Sequence, residues 1–360
     1  MVIKKNRFFI LIVFIFINFS FFSFANEEFH KEDYEKVRAI VVREDVIQDH
    51  QLQVQIVEAR LLEGPLKGYL VQFKHPLVEG SKYNIPLHKD MKIFLTVHTR
   101  NNELVAVGFI DVVRDYHLKV VFFLFVALLI LFGGFKGVRS FIALLITAFC
   151  IIYIFIPLIL KGHNFILSSI IVSFIIVITS FILISGFTRK SLSAIMGTIG
   201  GTITSAILAI YFGNKIYLTG ISDEMLEMLV AYSSYSIDYR GLLYSGIIIG
   251  ALGAVMDVSM TITSIIYEIK SKTPKIRMRT LFFSGLSVGR DIMATMTNTL
   301  ILAYVGTSLP LLLIFIFSDM NFTDIINSQY IASEIIRSLC GSIGLIMTIP
   351  ITSVVAAINS

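Results

Sequence analysis

Asp257, Thr261, Ser264 and Glu268 interrupt a long apolar run from Leu242 to Ile269. On a helix at 100° per residue they share a stripe of roughly 80° with Gly246, Gly250 and Gly253. The first half of that stripe carries no side chains and the second half is wholly polar. A carboxylate near the centre of a membrane helix costs about 2.5–3.5 kcal/mol, so Asp257 is expected to face a cavity or a partner. Such a group can coordinate an ion, relay a proton, or lock two helices together. Thr261 and Ser264 would continue the face as a wet path toward Glu268. Glycines spaced by three and four let a neighbouring backbone approach closely, which assigns Gly246, Gly250 and Gly253 to helix packing.

A second cluster follows at Arg290, Asp291, Thr295 and Asn298. The last three share a helix face by the same four-then-three spacing. Arg290 is placed to pair with Asp257 or Glu268, or to snorkel to the interface. Ser193, Gly197, Gly200 and Thr204 form another small-residue face, and Gly197 is expected to pack against the helix that carries Asp257.

Motifs that look catalytic lack their context. Gly285-Leu286-Ser287-Val288-Gly289 matches G-x-S-x-G, but a nucleophile elbow needs a strand, a turn and a later histidine, and the last histidine is His163. There is no H-E-x-x-H and no G-x-x-x-x-G-K-[ST]. No catalytic residue, metal ligand or cofactor is assigned, and an enzyme is not expected. A paired-aspartate protease built on Asp257 and Asp291 is the remote alternative.

The two polar clusters lie inside longer motifs. Gly253-Ala254-Val255-Met256-Asp257-Val258-Ser259-Met260-Thr261-Ile262 resembles a signature of the YibE/F-like family of bacterial multipass membrane proteins, and Gly289-Arg290-Asp291-Ile292-Met293-Ala294-Thr295-Met296-Thr297-Asn298-Thr299-Leu300 resembles its second. The resemblance extends over most of the chain, including the Gly64–Gly68 turn. It implies a membrane architecture and no particular activity.

The elements that must hold these residues follow from composition. The chain has 360 residues, 56% hydrophobic and only 15% charged, which excludes a soluble enzyme. Its net charge of +5 comes from basic residues between apolar runs and does not point to nucleic acid. Cys150 and Cys340 both fall in apolar stretches, so neither a disulfide framework nor a zinc site is expected. Lys4, Lys5 and Arg7 precede the apolar run Phe8–Phe22 and the small residues at Ser23 and Ala25, the pattern of a signal peptide over 1–25. Residues 26–117 have ordinary composition and five candidate strands: Val37–Val42, Leu52–Val57, Tyr69–Phe73, Met91–Val97 and Glu103–Val113. Five short strands suit a small β domain, an OB-like barrel. His75, His88 and His98 have no ligand-like spacing and read as surface or strand residues.

From 118 to 360 the pattern predicts an α-helical membrane bundle of about seven spans. These are Lys119–Phe135, Val138–Leu160, Phe165–Gly186, Leu192–Gly213, Leu242–Ile269, Ile292–Ser318 and Ile335–Ile358. Leu281–Val288 is too short to cross and reads as an interfacial or re-entrant segment. Gly306 and Pro310 are expected to break the sixth span. Basic residues fall in alternate loops: Lys136 and Arg139, then Arg189 and Lys190, then Lys270 to Arg279. Acidic residues gather in the others: Asp223, Glu224, Glu227 and Asp238, then Asp319 and Asp324. This alternation predicts a cell-membrane protein with its N-terminal domain extracytoplasmic and its carboxyl terminus cytoplasmic.

The function expected is a transporter or permease for a small solute or ion, working through an intramembrane carboxylate. The alternative is an envelope scaffold. The partners expected are the lipid bilayer and an envelope protein or transport subunit docking on residues 26–117, with no nucleic acid. Oligomeric state, substrate and coupling ion are left open by the sequence.

Overall fold

The computed structural model describes residues 34–360 except 50–51, 82, 101–102, 223, 233–236 and 319. The signal segment, the Asn101-Asn102 turn, Asp223 and Asp319 lie outside the described residues. The chain divides into two compact units, residues 1–123 and 124–360.

Within the first unit, β1 (Tyr34–Asp49), β2 (Leu52–Leu61), β3 (Leu70–Leu77), β4 (Lys92–Arg100) and β5 (Glu103–Val112) form one antiparallel sheet in the order β3-β2-β1-β4-β5. The long β1 pairs with both β2 and β4, and its register shifts between Val41 and Arg43. Such a bulge bends and twists a strand, which lets one strand serve two turns of a barrel. The outer strands β3 and β5 approach without pairing, and the His75 and Phe109 rings meet edge-on at 4.5 Å. The result is a nearly closed, OB-like five-stranded barrel. Alternate residues fill it: Val37, Ala39 and Val41 from β1, Val57, Ala59 and Leu61 from β2, Val71 and Phe73 from β3, Ile93, Leu95 and Val97 from β4.

Two polar residues also point inward. Gln55 is 2% exposed, although alternation with Val54 and Ile56 suggests an outward side chain. Its amide pairs twice with the backbone of Leu87: Nε2 donates to the carbonyl at 3.0 Å and Oε1 accepts from the N–H at 2.8 Å. That exchange satisfies a loop backbone where no strand is available. His75 is a strand residue and not a surface one. It is 2% exposed, and its Nε2 donates to the Ile85 carbonyl at 3.0 Å. Burial holds its pKa below the ordinary value, against the raising effect of the Ile85 bond. The unfolded imidazole, titrating near about 6.5, therefore binds a proton the folded one resists. The barrel's stability should be full above that pH and fall as pH drops through it. Hydrogen exchange of the β3 amides in the full chain, corrected for intrinsic rates, should show weaker protection at pH 5.5 than at 7.5. His75→Gln should remove that difference.

The second unit is helical. In chain order the helices are α1 (Asp115–Phe149), a π-helical turn at Cys150–Phe155, α2 (Ile156–Leu160), α3 (Phe165–Ser185), α4 (Arg189–Lys215), α5 (Glu224–Tyr232), α6 (Tyr239–Lys272), α7 (Met278–Thr307), α8 (Leu309–Phe317), α9 (Phe322–Asn327) and α10 (Gln329–Asn359). The start of α1 belongs to the first unit. Side-chain caps start several of them: Asn164 for α3, Thr188 for α4, Asp238 for α6 and Ser328 for α10.

Among the described residues, five helical stretches are long and apolar enough to cross a membrane, or six if α7 and α8 together make one bent crossing. The shortfall from seven lies in Asp115–Leu160, a single stretch of 46 residues by that count. Straight, it would be about 70 Å long, more than twice a hydrocarbon core of about 30 Å. It is not straight. Gly134 sits at φ 53, ψ −133, a conformation open to glycine but not to helix. A Cβ on Gly137 would collide with the Leu129 carbonyl oxygen and lie 3.3 Å from Ile130 Cα, so the chain turns back on itself there.

Leu281–Asp291 is not a separate segment; it is continuous helix within the first half of α7. Its glycines serve packing. A Cβ on Gly285 would lie 2.7 Å from Ser353 Oγ, and one on Gly289 would press into Ile349, both residues of α10. The break falls later, at Ser308, where α7 and α8 meet at 58° ahead of Pro310.

Candidate functional site

The Asp257 stripe is built by α6, whose other faces are occupied. Val255, Val258, Ile262 and Ile266 are fully buried among Leu281, Leu345 and Ile349, while Leu252 packs toward Val172 and Phe181 of α3. Those apolar rows turn Gly246, Gly250, Gly253, Asp257, Thr261 and Glu268 outward, and all six are exposed; Ser264 is half-buried. Asp257 thus stands near the middle of a membrane-length helix, with its side chain exposed. Its carboxylate has no hydrogen-bond or ion-pair partner among the described residues. The hydroxyls beside it are satisfied by their own helix: Thr261 Oγ1 donates to the Asp257 carbonyl at 2.8 Å and Ser264 Oγ to the Met260 carbonyl at 2.7 Å.

Close packing is not found at two of the expected glycines. A Cβ on Gly246 or Gly253 would meet nothing within 4 Å, and one on Gly250 would meet the Tyr304 hydroxyl at 2.8 Å. Gly197 is packed, but against α10 and not against the stripe on α6: its Cβ would lie 3.1 Å from Thr352 Cα. The tightest helix contact is this α4–α10 seam. Gly201 and Gly344 face each other there, and a Cβ on either would stand 2.8 Å from the other's carbonyl oxygen.

Arg290, Asp291, Thr295 and Asn298 are exposed on α7. Arg290 forms no ion pair among the described residues, so of its two readings the pairing with Asp257 or Glu268 is not seen among them. Glu268 pairs instead with Lys272, one turn on, at 2.7 Å. Thr295 Oγ1 bonds back to the Ile292 carbonyl at 2.9 Å. The two polar clusters are therefore separate exposed faces on α6 and α7, joined by no described bond.

A third polar group was passed over in the sequence. Glu334 and Arg337 lie within the apolar α10 and form an ion pair of 3.0 Å, with side chains only 18% and 25% exposed. Two opposite charges three residues apart in an apolar helix are the signal that finds them.

The family model for YibE/F-like proteins matches residues 121–359, the stretch that holds all three polar groups. The chain belongs to the YibE/F-like family. The match begins after the barrel, so the OB-like domain at 34–112 lies outside it. Neither the curated proteins nor the solved structures include a match to the chain. Family membership and the long apolar helices together make this YibE/F-like chain a membrane protein.

Proposed function

We propose that this YibE/F-like protein moves a small solute or ion across the cell membrane, with Asp257 as the coordinating or coupling carboxylate. The observation that carries the proposal is the setting of Asp257. It is mid-helix, exposed, without a partner among the described residues, and on the same stripe as Gly246 and Gly253, where a Cβ would meet nothing within 4 Å. A carboxylate serving only to lock helices would need a cationic or hydroxyl partner, and the described residues offer none. Lipid does not tolerate such a charge cheaply, so the face is suited to water, a solute or a partner. Uptake of a panel of ions and small solutes, compared between cells with and without the chain, tests the proposal. No difference for any solute would leave the scaffold role in its place.

The barrel is proposed to lie outside the cytoplasm behind a signal peptide and to dock an envelope protein or transport subunit. Leu70 on β3 and Leu104 and Val105 on β5, the two end strands, are exposed apolar residues suited to that contact. Orientation follows from the alternating basic loops, with the carboxyl terminus inside. Cysteines placed at exposed Glu79 and Lys275 should behave oppositely in intact cells, the first labelled by a membrane-impermeant maleimide and the second protected. Labelling of position 275 from outside would reverse the topology. The native Cys150 and Cys340 are buried and should stay silent.

A further inference from the structure

The Glu334–Arg337 pair adjoins a cavity. Tyr304 of α7, Ser308 at the α7–α8 break, and Glu334 and Ser338 of α10 line a space of about 120 Å³, together with apolar side chains of the same helices. That is several times what one water molecule needs. Arg337 holds Glu334 Oε1, but Glu334 Oε2 and Tyr304 Oη are buried without a hydrogen-bond partner among the described residues, as is Arg337 Nε. Buried polar atoms are normally paired, and a carboxylate oxygen left bare beside a cavity calls for an occupant.

The lining specifies the occupant's chemistry. Every polar side chain on the cavity wall offers oxygen, and the Arg337 guanidinium does not reach it. An anion would find a carboxylate and no cationic donor. A divalent cation would find one carboxylate already neutralised by arginine, too little charge for such an ion, and no grouping of three acidic, His or Cys residues exists among the described residues. We infer that this cavity is a station for a monovalent cation, a proton or an alkali metal ion, taken up at Glu334 Oε2.

The station adjoins the Asp257 stripe. Tyr304 Oη, one wall of the cavity, is the atom that a Cβ on Gly250 would meet at 2.8 Å. Gly250 lies about 10 Å along α6 from Asp257. Glycine at 250 thus admits the Tyr304 phenol against α6. The charged group facing Glu334 is Arg337 on its own helix, and the titratable phenol of Tyr304 faces it from α7; Glu227 of α5 bonds Tyr330, one turn earlier on α10. The purpose of the cation rests on the transport proposal, but its binding does not.

Thermal unfolding of the full chain in detergent, in choline chloride with added NaCl or KCl at several pH values, tests the station. An alkali ion that binds should raise Tm saturably, by about 5 °C at a hundred times its dissociation constant. If the proton is the cation, acidification alone should raise Tm in a His75→Gln background, which removes the barrel's own response to acid, and the salts should add nothing. In either case Glu334→Gln should abolish the response and Tyr304→Phe should weaken it. Should Glu334→Gln fail to fold, Ser308→Ala with Ser338→Ala strips the two serine oxygens from the wall, leaves the ion pair, and should weaken the response. No response to either salt or to acid, or a response unchanged in these variants, would overturn the inference. Asp257→Asn should keep the response, so a failed transport assay and a failed station are told apart.

Discussion

Asp257→Asn should fold and insert as the parent chain does and yet lose transport by about tenfold or more, equivalent to at least about 1.4 kcal/mol of lost interaction with the transported species. Asparagine keeps the size and hydrogen-bonding capacity of aspartate and removes only the charge. Because Asp257 makes no bond to another described residue, no folded-state contact is lost with it. Its melting temperature should therefore match the parent's. Asp257→Leu sharpens the comparison. Were the carboxylate locked to Arg290, leucine would strand a buried cation and cost about 3–5 kcal/mol. Arg290 is exposed and no such pair forms among the described residues, so the leucine variant should be at least as stable as the parent and equally inactive. The measurements are uptake of whichever solute the cell comparison identifies, and thermal unfolding in detergent. Full uptake in both variants would end the role given to Asp257. Unfolding of both would make it a structural residue.

Gly201→Leu should be among the most damaging single changes in the membrane unit. A Cβ there would stand 2.8 Å from the Gly344 carbonyl oxygen and 3.0 Å from Thr348 Cβ, so α4 and α10 must separate along their seam. Backbone atoms cannot turn aside as a long side chain can. Overpacking commonly costs about 1–3 kcal/mol, and with backbone in the way about 3 kcal/mol or more is expected. That corresponds to a fall in Tm of about 6–12 °C for a unit of this size. Gly253→Leu is the control. Nothing lies within 4 Å of the new Cβ, so stability should change by less than about 0.5 kcal/mol. Uptake in the Gly253→Leu protein is then informative on its own, because a side chain there would stand on the stripe one helical turn from Asp257. Equal melting temperatures for the two variants would mean that the α4–α10 seam does not hold the bundle together.

Much of the architecture was legible before any coordinate. Apolar runs of about twenty residues announce membrane helices because the bilayer core sets their length, and alternation with turn signals marks the barrel strands. The stripe from Gly246 to Glu268 was also readable, since helical periodicity alone decides which residues share a face. Periodicity does not say what that face meets. Glycine offers no side chain to report its neighbour, so the open stripe of Gly246 and Gly253 and the closed seam of Gly201 and Gly344 look alike in sequence. Gly285 and Gly289 are silent in sequence for the same reason, and only the tertiary structure shows that they admit α10 to α7. Gln55 and His75 are polar letters in a strand, and only the loop backbone at Leu87 and Ile85 makes their burial favourable. The sequence by itself determined the class of protein, the helices and the residues able to carry charge through them. The packing of α6 against α3, α7 and α10 decided that Asp257 faces outward and unpaired, and the meeting of α7 with α10 placed Tyr304 beside Glu334. Both depend on contacts between segments far apart in the chain, which local pattern does not encode.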